Sequence, residues 1–261
     1  MNQSDNYNLT RAKEIIQHHG WPKRSDIGRD GQNNLWLIVQ HADQDVTFQQ
    51  VALTAMEKLK ESKELNMENY AFLYDRVQCN LNYKQRFGTQ VIWIQNGEAS
   101  GFRPIEKEYK VNRRRKKIGL QPLALYALSY GFNYKAVNKK KSRVFDANHR
   151  AQVQQLIDGS KDAYRRRDFQ KTYDNYNQAS TYAGGMTNSE NLHAAITFAE
   201  IAALTHEEQY KGIALDFLAL LHLRKTLRLR ELKKAEFNIL NTQHRWIEIY
   251  SQLNNRTEQN K

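Results

Sequence analysis

The sequence predicts a mainly α-helical fold, and three of its features lead to that prediction. Its 261 residues include only three prolines and twelve glycines, the residue types that most often interrupt a helix. Long segments rich in Leu, Ala, Lys, Glu, Gln and Arg follow one another, and these residues are strong helix formers. A hydrophobic content of 40% is enough to build a buried core.

The first domain is predicted over residues 1–135, as helices with a small β-hairpin or sheet. Apolar spacing and capping signals predict its helices at 8–19, 35–39, from Thr47 onward, 68–77 and 123–130, with a loop at 25–31. A short buried strand is the alternative at 35–39, because periodicity cannot decide for so short a run. The run from Leu35 to Val39 is apolar on all sides, so we expect it to be buried. Residues 86–97 predict a strand containing Gly88, because β-branched and aromatic residues stand there between turn-forming Asn and Gly.

A second domain is predicted over residues 146–261, after a basic linker at 136–145 where the composition changes. Its pattern is uniformly helical. Capping boxes are predicted at Thr187 with Glu190, and at Thr205 with Glu208. The helices are expected near residues 146–166, 169–183, 188–204, 206–226 and 229–253.

The segment AYRRRDFQKTYDNYNQA, from Ala163 to Ala179, resembles the junction inside a tetratricopeptide repeat. Asp168 and Phe169 stand at the junction, and Tyr176 occupies an aromatic position. The resemblance implies helical hairpins that bind a protein or peptide. An ordinary helical bundle is the alternative, because no second copy is clear at the repeat period of about 34 residues.

Several motifs in residues 10–130 resemble those of a bacterial family of uncharacterised proteins. They are WLIVQHAD at 36–43, FQ at 48–49, LYDRV at 73–77, QxFGTQ at 85–90, RP at 103–104 and RxxIGL at 115–120, followed by Tyr126. Phe87 stands where that family more often has tyrosine. The resemblance implies family membership and brings no activity with it.

Positive charge is concentrated in one part of the chain. Residues 101–143 hold 13 Lys and Arg against 2 Asp and Glu, which gives +11 of the total net charge of +12. Such a local field attracts anions, namely nucleic acid, phosphorylated ligands or an acidic peptide or protein. Arg113, Arg114 and Arg115 are its candidate ligand-binding residues.

Polar residues follow the buried apolar run and form the candidate active site. We predict His41 as a general base, with Asp43 or Asp75 orienting it, because a carboxylate fixes the imidazole tautomer and raises its basicity. The alternatives are a pocket that only binds, and a buried network in which His41 is a satisfied core histidine and Asp75 pairs with Arg76 or caps a helix. The predicted substrate-binding side chains are Gln40, Gln49, Arg76 and Gln90.

Other chemistries and locations are disfavoured by the sequence. A single cysteine, Cys79, cannot form an internal disulfide, and no GxSxG, HExxH or CxxC motif is present. We therefore expect no metal and no cofactor. The apolar segment 212–223 is too short to cross a bilayer, so a soluble cytoplasmic protein without a membrane partner is expected.

These observations lead to one functional hypothesis and two alternatives. The first is a hydrolase- or lyase-like enzyme that acts on a peptide, protein or anionic substrate in the first domain. The second is a nucleic-acid-binding protein that uses residues 101–143, and the third is an adaptor whose helical domain binds another protein.

Overall fold

A computed structural model describes residues 3–259 of the chain. The chain divides after Asp146 into two compact units, here called the first unit and the second unit. Helices dominate both units, and the strands pair in a small antiparallel sheet in the first unit. The prediction of a mainly α fold with a small hairpin is therefore confirmed.

The first unit is built from helices around a short hairpin. Helix α4 packs against α2 and α3, and α1 packs against the same pair. Its helices are α1 Gln3–His19, α2 Arg24–Gln40, α3 Val46–Glu57, α4 Met67–Asn80, α5 Val111–Lys117 and α6 Leu123–Leu128; its strands are β1 Val91–Trp93 and β2 Ala99–Phe102; a 3₁₀ turn spans Glu108–Lys110.

Helix α2 corrects two sequence predictions. The loop expected at 25–31 is wrong, because the helix begins at Arg24 and continues past a kink at Gly28, where φ is 70° and ψ is 179°. The expectation that residues 35–39 are buried on all sides is also wrong. Leu35 and Val39 are buried while Leu37 is 44% exposed, so this part of α2 is amphipathic.

The predicted cap of the next helix is displaced by two residues. Helix α3 begins at Val46, and its N-cap is Asp45, whose carboxylate accepts a hydrogen bond from the Phe48 amide at 2.9 Å. Thr47 therefore lies within the first turn. Asp is as good an N-cap as Thr, so capping preference alone could not separate the two positions.

The hairpin is shorter than the predicted strand. Val91 pairs with Phe102 and Ile92 with Gly101, and a bulge follows between Ile92 and Trp93. Gly88 was predicted within the strand, but it precedes β1 in a loop with φ of +70°. The segment 86–89 is thus a connection from α4 to the sheet, and we call it the 86–89 loop.

The second unit is helical throughout its described secondary structure. Helix α7 spans Lys139–Arg165, so most of the segment predicted as a basic linker is helical. The other helices are α8 Phe169–Ser180, α9 Asn188–Thr205, α10 Glu208–Leu223, α11 Leu229–Leu232 and α12 His244–Gln259, with a 3₁₀ helix at Ala235–Leu240.

Two details of the second unit differ from the sequence predictions. The single helix expected at 229–253 is wrong, because α11, the 3₁₀ helix and α12 occupy that range. The capping box at Thr187 is confirmed, whereas the one at Thr205 is wrong. Thr205 ends α9, and His206 follows it in the left-handed conformation with φ of 59°.

An aromatic cluster forms the centre of the second unit. The ring of Phe198 on α9 stacks on Phe217 and Tyr210 of α10, with centroids 6.1 and 6.2 Å apart. Tyr176 of α8 meets the same ring edge-on. Over residues 3–259, no helix is long and apolar enough to cross a membrane.

Candidate functional site

A cleft of about 350 Å³ opens on the first unit, and polar side chains from separate segments line it. We call it the polar cleft. Phe72, Trp93 and Tyr130 supply aromatic wall, and the Trp93 and Tyr130 rings meet edge-on at 5.8 Å. The polar lining includes Gln40, Asp43, Arg76, Asn80, Gln90 and Arg103.

An ion pair between Asp43 and Arg76 forms one side of the polar cleft. The Arg76 guanidinium donates through Nε to Asp43 Oδ1 at 2.7 Å and through Nη2 to Oδ2. Asn80 and Gln49 donate further hydrogen bonds to Oδ1 at 3.2 and 3.3 Å. The bond from Arg76 is the main reason that the pKa of Asp43 is lowered, so this residue is a carboxylate at neutral pH.

Gln49 holds the corner between α2 and α3 from inside the protein. Its side chain is fully buried, and Nε2 donates to the backbone carbonyls of Val39 and Gln40 at 3.3 and 3.1 Å. Its Oε1 accepts a bond from Asn80 at 3.1 Å. Gln49 therefore fixes the positions of Gln40 and Asp43, while these two residues line the cleft.

Asp75 is fully buried and binds the 86–89 loop. Its carboxylate accepts hydrogen bonds from the backbone amides of Arg86 at 2.7 Å, Phe87 at 3.0 Å and Thr89 at 3.0 Å, and from the Thr89 hydroxyl at 3.1 Å. Burial raises the pKa of Asp75, and these donors oppose that shift without cancelling it. Asp75 thus binds the amides of a loop. The sequence had suggested instead that it pairs with Arg76 or caps a helix.

Two arginines bind the carbonyl groups of the same region. Arg115 is 1% exposed and donates to Phe87 O and Gln121 O, both at 2.7 Å, with its guanidinium 4.8 Å from the centre of the Tyr126 ring. Arg114 donates to Arg86 O at 2.7 Å. Three arginines of the basic segment 101–143 were predicted to bind ligand. Two of them, Arg114 and Arg115, bind backbone carbonyl groups, and Arg113 is exposed.

Gln85 is a structural residue that the sequence analysis missed. Its buried amide donates to Gln90 O and Arg103 O at 2.8 Å each, and accepts from the Gln90 amide at 2.8 Å. These bonds join the two segments that flank the hairpin. Gln90 and Arg103 belong to these segments and line the polar cleft. The QxFGTQ motif contained the signal, since Gln85 is its first residue.

His41 does not line the polar cleft. It lies exposed at the C-terminal end of α2, where its backbone amide bonds to Leu37 O at 3.2 Å. Its exposure removes the interpretation of His41 as a core histidine. The structure therefore brings together Gln40, Asp43, Arg76 and Gln90 from the predicted set, and leaves His41 and Asp75 outside the cleft.

The polar cleft also contains residues that the sequence analysis did not select as site residues. Arg103 belongs to the short RP motif, and Asn80 is the last residue of α4. Neither position carried a strong signal of function in the sequence. Cys79 lines the cleft as well, but burial raises the pKa of its thiol to about 12 while Arg103 opposes that shift. The thiol is therefore protonated at neutral pH and is a poor nucleophile.

Metal ions such as zinc are usually held by several His, Cys, Asp or Glu side chains together. No group of three or more such side chains that could hold a metal ion occurs in the described part of the chain. The polar cleft itself pairs its carboxylate, Asp43, with an arginine. Its chemistry is that of charge-assisted hydrogen bonding.

Comparison with known protein families matches residues 1–135 to DUF6624, a family of unknown function. No curated protein and no solved structure matches the chain. The matched range covers more than half of the 261 residues and includes every residue that lines the polar cleft. The chain belongs to the DUF6624 family.

Proposed function

We propose that the first unit binds a small anionic ligand, or the carboxylate end of a peptide, in the polar cleft. The observation that carries this proposal is the convergence of two arginines, Arg76 and Arg103, with the amides of Gln40, Asn80 and Gln90. Guanidinium groups bind carboxylates and phosphates through paired hydrogen bonds. Amides can both donate and accept, so they select the polar groups beside the anion.

The ion pair with Asp43 prepares Arg76 for this role. Two of the five N–H groups of the guanidinium bind Asp43, which fixes the plane of the group and leaves the others for a ligand oxygen. Less side-chain entropy is then lost on binding. Arg103 is exposed and supplies the second positive charge.

Size and wall composition support a small ligand with an apolar part. A volume of about 350 Å³ falls within the range of roughly 300–1,000 Å³ that is usual for small-molecule sites. Trp93 is 60% exposed beside Tyr130, so an apolar group can pack against its ring. An amino acid derivative or peptide end combines such a group with a carboxylate.

A ligand screen by thermal shift, followed by calorimetry with the best carboxylate or phosphate compound, tests the proposal. Arg103→Gln is expected to weaken binding at least about 10-fold, because a hydrogen bond to a charged group is worth about 1.5–3 kcal/mol. Arg29→Gln is the matched control, since Arg29 is exposed on α2 and does not line the cleft. Equal affinities of Arg103→Gln and wild type would contradict the proposal.

Hydrolysis or elimination in the same cleft is the second candidate function. It is favoured by one observation, an ionised carboxylate, Asp43, at the cleft surface. Incubation of the bound compound and mass spectrometry of the products test it. If His41→Ala still turns over the compound, proton transfer is assigned to residues of the cleft. If this variant binds the compound as wild type does but no longer turns it over, His41 has a catalytic role.

For the second unit we propose tetratricopeptide-like protein binding. Support comes from the burial of residues that carry the resemblance: Ala163 and Ala179 are fully buried, and Tyr176 is 1% exposed. Thr172, which stands where such repeats usually have alanine, is also fully buried. Asp168 caps α8 by accepting a bond from the Lys171 amide at 3.0 Å. Small and aromatic side chains at these places allow two helices to pack closely.

A further inference from the structure

A second cleft, of about 280 Å³, lies on the first unit, and none of its lining residues lines the polar cleft. We call it the basic cleft. Arg86 comes from the 86–89 loop, Lys107 directly precedes the 3₁₀ turn, Lys110 ends that turn, and α5 supplies the other cations. Its positively charged lining is Arg86, Lys107, Lys110, Arg113, Arg114 and Lys117.

Two cations of the basic cleft lie on the same face of α5. Arg113 and Lys117 are four residues apart, so they lie on one face, where like charges repel by a few tenths of a kcal/mol. Arg114 lines the same cleft. An anion bound between them would convert this repulsion into attraction.

Arg114 is fixed in the cleft by neutral partners. Its guanidinium donates to the carbonyl oxygens of Arg86 at 2.7 Å, Glu106 at 2.6 Å and Lys107 at 3.4 Å. Carbonyl groups hold its orientation but do not neutralise its charge. The cleft therefore contains a positioned cation before any ligand arrives.

The acidic group of the cleft neutralises only a small part of this charge. Glu106 lies 3.7 Å from Arg86 and 3.6 Å from Lys107, distances too long for hydrogen bonds. Six cations face this one carboxylate in the lining. The excess is enough to bind a ligand that carries several negative charges.

We propose that the basic cleft binds a compact oligophosphate group, formed by two or three linked phosphates. Arginine and lysine are the side chains that bind phosphate oxygens most readily. Among the described residues, no aromatic side chain lines the cleft, so it offers no aromatic platform for a row of bases. The small volume, about 280 Å³, suits a compact anion better than an extended nucleic acid strand.

Titration calorimetry of the full chain with tripolyphosphate tests the proposal, in metal-free buffer at physiological salt. Arg113→Gln and Lys110→Gln are expected to weaken binding at least about 10-fold each, because each removes a direct phosphate partner. Both side chains are exposed, so folding is expected to be retained. Circular dichroism checks this.

Lys116→Gln is the matched control. Lys116 is exposed on the same helix, and its replacement removes the same charge, but it does not line the basic cleft. Tripolyphosphate should bind this variant within about twofold of wild type, since Lys116 contributes only a screened long-range field. Arg103→Gln should also bind tripolyphosphate normally, which separates this site from the polar cleft.

Three results would overturn the proposal. The first is no binding of tripolyphosphate to wild type. The second is equal weakening by Lys116→Gln and Arg113→Gln, which indicates a diffuse field. The third is binding of a short single-stranded oligonucleotide that tripolyphosphate cannot displace, which indicates a strand-binding surface.

Discussion

At the scale of single residues, burial separates two adjacent charged side chains of α4. Asp75 and Arg76 are neighbours in sequence, yet the first is enclosed by loop amides and the second faces the polar cleft. A buried carboxylate must have donors around it, because an unpaired one costs several kcal/mol. The sequence alone does not show which of these two charged residues is buried.

Replacing Asp75 should damage stability. In Asp75→Asn one oxygen becomes an amide nitrogen, which cannot accept bonds from the 86–89 loop, so buried amides lose their partner. We expect a loss of about 2–4 kcal/mol in the free energy of unfolding, measured with urea. Asp30→Asn, at an exposed site, should change it by less than about 0.5 kcal/mol. A stable Asp75→Asn protein would mean that the carboxylate does not hold the loop.

Titration of Asp43 should report its bond to Arg76. The pKa in the folded protein is lowered below 3.8, so the pair stabilises the fold above that pH, and the contribution is lost as pH falls through the lower value. Nuclear magnetic resonance of the carboxyl carbon measures the midpoint. In Arg76→Gln the midpoint should rise, and an unchanged midpoint would show that Arg76 is not the main cause.

At the scale of elements, the 86–89 loop is held by hydrogen bonds with residues of several other segments. Asp75 binds its amides, Arg114 and Arg115 bind its carbonyls, and Gln85 joins the segments on either side of the hairpin. These bonds satisfy the backbone of a connection that has few ladder partners. They also place Gln90 and Arg103 in the polar cleft.

Gly88 allows this loop to approach the core, so we expect its replacement by alanine to destabilise the protein. A Cβ at Gly88 would lie 2.8 Å from Leu123 Cδ1, and its φ of +70° already disfavours other residues. Gly131 has a φ of +80° with open space around it, so Gly131→Ala has only the backbone cost of about 1 kcal/mol. Gly88→Ala should lose about 1–3 kcal/mol more. Equal losses in urea unfolding would contradict the close packing.

At the scale of the whole molecule, each unit has its own buried residues. Leu73 and Met56 are fully buried in the first unit, and Leu218 and Phe198 in the second. The net charge of +12 is concentrated in residues 101–143, which belong to the first unit. Both proposed anion sites therefore lie in the unit that carries most of the charge.

A cavity in the core of the second unit should destabilise that unit. Leu218→Ala is expected to destabilise it by about 2–5 kcal/mol, because a fully buried Leu loses its contacts. Hydrogen exchange should become faster at protected amides of residues 147–259. Leu204→Ala, at a site 54% exposed, should leave the exchange close to wild type. Unchanged protection in Leu218→Ala would show that this side chain does not support the core.

The sequence predicted the helices well where a regular apolar pattern or a capping box marks them, as in α4 and α9 respectively. It failed where a local signal had competitors. Gly28 suggested a loop but only kinks α2, and Asp45 caps α3 ahead of Thr47. Within the candidate site, Gln40, Asp43, Arg76 and Gln90 were selected from sequence and meet in the polar cleft, while Arg103 was not selected.

The sequence by itself determined the helical class, the hairpin and the position of the charge. Periodicity, turn residues and composition are local properties, and each of these features follows from them. The tertiary structure decided which polar residues share a cleft, and it separated the buried Asp75 and Arg115 from the accessible Arg76 and Arg103. Burial and hydrogen-bond partners depend on segments distant in sequence, so only packing could decide those roles.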